Sequence, residues 1–179
     1  MKKTLFCLVL LVMTHPLLAR ESPLAMGFQA GFATTGSIVD MELGSLSLSL
    51  GFAIPLGYSQ IAHTFDADPQ ATPYGIYTLT SDVTIVIPFS ENLILKAGIG
   101  SIALTDFGPR ITAVVGPVCK AEYWIWESNT ALFISVLIPT KRFELMRHEY
   151  GPTTRKIYTV PGLAEEWLFT SSIGLLYGY

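Results

Sequence analysis

The stretch from Ser45 to Ile54 reads SLSLSLGFAI and alternates without a break. Leu46, Leu48, Leu50, Phe52 and Ile54 fall on one parity, and Ser45, Ser47, Ser49, Gly51 and Ala53 on the other. Such period-two alternation predicts a β-strand with two unlike faces. Here the faces are greasy and small-polar, and neither carries a charge. The C-terminal end repeats the pattern, with Ile173, Leu175, Tyr177 and Tyr179 set against Ser172, Gly174, Leu176 and Gly178.

The same reading along the chain predicts eight strand segments. The first, Leu24 to Thr34, sets Met26, Phe28 and Phe32 against Gly27, Gln29 and Gly31. The SLSLSL run is the second, closed by a tight turn at Pro55 and Gly57. The third spans Tyr58 to Phe65 and alternates poorly; Asp66 to Tyr74 follows as a loop. The fourth, Ile76 to Phe89, has Tyr77, Leu79, Val83, Ile85 and Ile87 opposite Thr78, Thr80, Asp82 and Thr84. After the short turn Ser90-Glu91-Asn92, the fifth runs from Leu93 to Leu104. The sixth, Ile111 to Trp126, precedes the turn Glu127-Ser128-Asn129, and the seventh runs from Thr130 to about Thr140. The last covers about Trp167 to Tyr179.

Pro117 lies inside the sixth segment, where it removes a ladder donor. Prolines belong at sheet edges or bulges. The alternation keeps its phase on both sides, so a bulge at Gly116-Pro117 is expected. Lys141 to Glu166 holds nine charged residues in 26 and reads as the largest loop, with a hairpin of its own around Glu144 to Val160. Counting that hairpin as two further membrane strands gives ten, but its charge density favours water and a count of eight.

Composition decides what kind of sheet this is. Charged residues make up 14% and hydrophobic ones 50%, whereas a soluble domain carries about 25% charged. Residues 1–19 have the layout of an export signal: Lys2 and Lys3, an apolar core from Leu5 to Leu18, and Ala19 before the cut. The remaining residues 20–179 are expected to form one domain. Without Lys2 and Lys3, nine basic residues face fourteen acidic ones, a net charge of −5, which excludes an electrostatic footprint for nucleic acid. Cys119 is then the lone cysteine, so no internal disulfide is expected. No segment after the signal is a long enough apolar run for a spanning helix. Bilayers admit only helices and closed barrels, because backbone polar groups must pair within the protein. An antiparallel eight-stranded up-and-down transmembrane β-barrel is therefore expected, with short turns at one end and longer loops at the other. Both termini then lie at the short-turn, periplasmic end.

Alternation alone also fits a soluble lipocalin-like barrel with its greasy face inward. The charges choose a direction. Asp82, Lys96, Lys120 and Glu122 all fall on the Ser/Thr/Gly parity. Arg or Lys facing mid-bilayer lipid costs about 2–4 kcal/mol, so a membrane imposes this sorting. Glu42 breaks the parity and is assigned to a watery strand end. Phe89, Tyr123, Tyr177 and Tyr179 near one end, and Tyr77 and Trp167 near the other, fit aromatic girdles.

With these features residues 24–179 resemble the small eight-stranded outer-membrane barrels of the OmpA/OmpX/OmpW type. The most specific residues are Ile173-Gly174-Leu175-Leu176-Tyr177-Gly178-Tyr179. The resemblance implies that Tyr177 and Tyr179 form the C-terminal signal read by the barrel-assembly machinery, although Phe is the commoner last residue. It also implies a bacterial outer-membrane location, outer-membrane lipid as surroundings, and no peptidoglycan-binding domain after Tyr179. No motif assigns a subfamily.

The expected interior is rich in small residues: Gly27, Gly31, Ser45, Ser47, Ser49, Gly51, Gly98, Gly100, Gly116, Ser172 and Gly174. Lys96, Lys120, Glu122, Trp124 and Phe133 are its large members. Two roles follow. Asp82, Lys96, Lys120, Glu122 and Trp124 line a narrow, wet pore for small solutes, or the same charges pair inside a closed plug of a structural, surface-interacting barrel. A lipid-modifying enzyme is a third possibility, with only His63 and His148 as mature histidines and no His-x-Ser arrangement. Asp66-Ala67-Asp68 reads as a solvated loop, since calcium needs six to eight oxygen ligands; no metal or cofactor is expected. Cys119 falls on the outward parity. The 141–166 loop, with Arg142, Arg147, Arg155 and Lys156, is the candidate surface for a partner or for anionic headgroups.

Overall fold

Gly44 takes a φ of 65°, a left-handed conformation that costs glycine nothing. The chain reverses there between two strands that the SLSLSL run helps to hold in register. The computed structural model describes residues 22–31, 34–55, 77–105, 110–146, 154–159 and 170–179. Among these, ten strands occur: β1 (Leu24–Gly31), β2 (Thr34–Leu43), β3 (Leu46–Pro55), β4 (Tyr77–Pro88), β5 (Leu93–Thr105), β6 (Arg110–Ile125), β7 (Thr130–Leu137), β8 (Lys141–Met146), β9 (Thr154–Thr159) and β10 (Ser171–Gly178). Every pairing is antiparallel. Eight of the strands close a ring in the order β1-β2-β3-β4-β5-β6-β7-β10, shut by the β10–β1 ladder. A closed ring leaves no unpaired edge among its staves.

The remaining strands lengthen the wall on one side. β8 continues along β6 beyond β7, and β9 pairs with β8. Gly116-Pro117 marks the changeover. Val118 pairs with Leu137 and Val115 with Lys141, so two residues of β6 face the three residues Ile138, Pro139 and Thr140. This is a bulge with the extra residue on the facing strand. Ile138 N–H donates to the Pro117 carbonyl at 2.8 Å and Thr140 N–H to the Val115 carbonyl at 2.9 Å. A residue's N–H and C=O point to the same side of its strand. The donor that Pro117 lacks therefore faces the interrupted ladder, while its β5 neighbour Ile99 stays in register. The expected bulge is present, carried by the partner segment.

Three short connections lie at one end, the short-turn end of the barrel, although residues 32–33 also link β1 to β2 briefly at the other. The three are the Gly44-Ser45 turn, residues 89–92 between β4 and β5, and a single 3-10 turn at Trp126–Ser128. Both ends of the barrel chain sit there too. Tyr179 N–H donates to the Leu24 carbonyl at 3.0 Å, and Gly178 N–H to the Asn129 carbonyl at 2.9 Å.

Three expectations need correction. The segment expected from Leu24 to Thr34 ends at Gly31, and Thr34–Leu43 forms a strand of its own, β2. The count of eight staves holds with β2 among them; Tyr58 to Phe65 lies outside the described residues, as do the 66–74 loop, residues 1–19, His63, His148 and Trp167. Ser45 is a half-buried turn residue rather than a strand residue of the interior. The hairpin expected around Glu144 to Val160 appears as β8–β9, and β8 begins at Lys141 as an extension of the wall.

Side chains divide cleanly. Phe28, Leu50, Val83, Ile99, Leu132, Ile134 and Ile173 are more than half exposed on the outer face. Asp40, Glu42, Lys96, Lys120 and Glu122 are buried inside. The barrel is inside-out relative to a soluble one.

Candidate functional site

The short-turn half of the lumen is filled. Trp124, Ala25, Ile94, Ala131, Phe133 and Leu176 pack together as its apolar floor. Trp124 stacks on Trp126 at 5.3 Å between ring centroids, and Asn92 and Trp124 exchange backbone and side-chain hydrogen bonds of 2.7 and 2.8 Å. The β4–β5 turn thus holds the backbone that carries the Trp124 ring.

Above this floor stands a cluster of charges. Lys96 on β5 extends its ammonium to Asp40 at 2.6 Å, Glu42 at 2.9 Å and Glu122 at 2.7 Å. Asp40 and Glu42 belong to β2 and Glu122 to β6, so one cation ties strands from opposite sides of the ring. Glu122 also accepts from the Trp124 indole N–H at 3.1 Å. Asp40 accepts from the Ser47 hydroxyl at 2.9 Å and from Ser49 at 2.5 Å. Ser49 in turn accepts from Lys120 Nζ at 2.6 Å. Lys120 reaches Asp82 at 3.2 Å and lies 3.8 Å from Asp40. A buried ion pair offsets its desolvation only when additional hydrogen bonds complete the geometry, and here two serines and an indole supply them.

Asp82, Lys96, Lys120, Glu122 and Trp124, singled out from the sequence, thus meet in one network. Asp40 and Glu42 were missed, and Glu42 is corrected: it is 4% exposed and points inward, not to a watery strand end. The signal existed. Asp40 and Glu42 alternate with Val39, Met41 and Leu43, the same sorting that identified the other charges, but no strand had been assigned to them. One oxygen each from Asp40, Glu42 and Glu122 come within 4.8 Å of one another, an arrangement able to hold a cation. The Lys96 ammonium bonds to all three and already takes that place.

The small interior residues do not simply leave empty space. A Cβ on Gly174 would meet the Phe133 ring at 2.5 Å. A Cβ on Gly51 would collide with the Gln29 amide and the Thr80 hydroxyl. The glycines vacate volume that large neighbours from facing strands occupy.

Beyond Lys120, away from the short turns, the lumen opens into a small chamber with about 30 Å³ of space for solvent centres, part of it open to solvent. Its lining includes Gln29, Thr80, Asp82, Lys120, Ser135 and Ser172, with Ile38, Val118 and Leu137 between them. Gln29 Nε2 donates to the Ser37 carbonyl at 3.2 Å and to Thr80 at 3.5 Å.

Tyr177 and Tyr179 lie on the outer face at the seam of the ring, edge to face with centroids 5.3 Å apart. Asn129 grips the same strand, its side-chain amide donating to the Gly178 carbonyl at 2.5 Å. Cys119 is exposed on the outer face. Arg142 and Glu144 on β8 pair at 2.8 Å.

No protein-family model and no curated protein matches the sequence. Among solved structures, a major outer membrane protein from Thermus thermophilus is similar at 12% identity and a TM-score of 0.39, covering 89% of this chain and 100% of that one.

Proposed function

We propose that the chain is an integral protein of a bacterial outer membrane, a sealed barrel that serves as a structural and surface-interacting element rather than an open pore. The observation that carries this reading is the plug. Lys96, Asp40 and Glu122 have side chains with 0% exposure in the middle of the lumen, with the apolar floor beneath them. Ions crossing the barrel would have to break three ion pairs and displace Trp124.

The membrane part of the reading rests on the outer face. Leu50, Val83, Ile99 and Ile134 are more than half exposed around the ring, a larger apolar surface than soluble monomers tolerate. The six charged side chains of the plug all turn inward. A soluble ligand-binding barrel needs the opposite arrangement. The reading is non-enzymatic, since the interior carboxylates are engaged by ammonium, hydroxyl or indole donors. Presentation falls to the tall side of the wall, where β8 and β9 rise beyond β7.

Planar-bilayer recording of the refolded protein tests this function. The sealed reading expects no conductance above the bare membrane. A steady, reproducible conductance would replace it with the pore reading.

A further inference from the structure

We propose that the chamber above the plug binds one small monovalent cation of the Na⁺ or K⁺ class, carrying part of its water shell and seated on Asp82. The first support is how Lys120 divides its charge. Its ammonium donates to Ser49 at 2.6 Å, reaches the two Asp82 oxygens only at 3.2 and 3.4 Å, and lies 3.8 Å from Asp40. The pairs around Lys96 are closer, at 2.6–2.9 Å. Asp82 is thus the carboxylate of the network with the loosest ammonium contact. Charge held in a low-dielectric enclosure is costly unless compensated.

The second support is where space and donors coincide. Lys96 already occupies the position among Asp40, Glu42 and Glu122. Asp82 borders the chamber instead, with its side chain 11% exposed. Thr80, Ser135 and Ser172 line the same chamber and supply hydroxyl oxygens. Oxygen donors suit hard cations. A single carboxylate beside neutral hydroxyls, with an ammonium nearby, favours a monovalent ion over a divalent one. The chamber offers about 30 Å³ of space for solvent centres, room for an ion and one or two waters, since a single water needs about 10–15 Å³ of such space.

The site is a dead end above the plug. A conducting barrel would overturn the sealed reading and leave this one standing. The test is the thermal unfolding midpoint of the refolded full-length protein in detergent at fixed ionic strength. NaCl or KCl is compared with the chloride of N-methylglucamine, a cation too bulky for the chamber. The expected result is a higher midpoint in Na⁺ or K⁺ that saturates with concentration. Asp82→Asn should abolish the difference, and so should Ser135→Leu, which fills the chamber beside Lys120 without removing a charge. If Asp82→Asn does not fold, Ser135→Leu decides. Ser37→Ala, on the outer face, should keep the difference. Equal midpoints in all three salts overturn the proposal, as does a difference that survives in Ser135→Leu. A midpoint that follows pH but not cation identity also overturns it, because protons then neutralise the carboxylate.

Discussion

Lys96 Nζ lies 2.6 Å from Asp40 Oδ2, and the bond joins β5 to β2 across the lumen, between residues 56 positions apart in the chain. The same ammonium holds Glu42 and Glu122. Removing it leaves three buried carboxylates facing one another. Lys96→Met is expected to destabilise the barrel by about 3–5 kcal/mol, the cost of breaking a buried pair from one side. Adding Asp40→Asn and Glu122→Gln to Lys96→Met should recover part of the loss. Denaturant unfolding of the refolded protein in detergent measures both; a loss below ~1 kcal/mol for the single variant would show that the pairs do not hold the ring together.

Trp124 is fully buried in the apolar floor. Truncation of a buried Trp or Phe costs about 3–5 kcal/mol through lost transfer energy and the cavity left behind. Trp124→Ala should show that loss in denaturant titration. Trp126→Ala, at the exposed partner of the stack, should cost clearly less.

Asn129 has a φ of 52° and bonds both backbone groups of the last strand through Gly178. The two contributions separate by mutation. Asn129→Gly keeps the left-handed turn and loses the side-chain bond, at about 1 kcal/mol. Asn129→Ala loses the bond and strains the turn, at roughly 1–2 kcal/mol more. Equal stability of the two variants would contradict this division.

The outer face gives a directional test. Val83→Arg and Ile134→Arg place a cation on the exposed apolar surface and should each cost about 2–4 kcal/mol in a bilayer near its midplane. Folding titrations into lipid vesicles read this directly. Similar stability for these variants and the wild type would mean that lipid does not meet this surface.

Much of the barrel was legible in the sequence because its outer face and its lumen carry opposite chemistry on alternate residues. The SLSLSL run shows it openly: Leu46 and Leu50 lie outside, while Ser47 and Ser49 lie inside and bond Asp40. Thr34–Leu43 hid the same rule behind a mixed outer face of Thr35, Ser37, Val39 and Met41, so Asp40 and Glu42 went unassigned. The filling of the lumen was less legible. Gly51, Gly174 and the serines suggested open space when counted along their own strands. They make room for Gln29, Phe133 and Asp40 from other strands, and that relationship exists only once the register is set. Pro117 announced the bulge, but its extra residue lies across the ladder at Ile138–Thr140, where no local signal in β6 could place it.

The central claim is that this barrel faces lipid with its greasy parity and encloses its charges. Cys119 sits on that outer parity, beside Ala97 on β5 and Val136 on β7, and can carry a nitroxide label through its own thiol. Collision of that label with oxygen and with a water-soluble nickel chelate, in protein refolded into lipid vesicles, is the most direct measurement. The account predicts strong relaxation by oxygen and almost none by the chelate; strong relaxation by the chelate would place this face in water and contradict it.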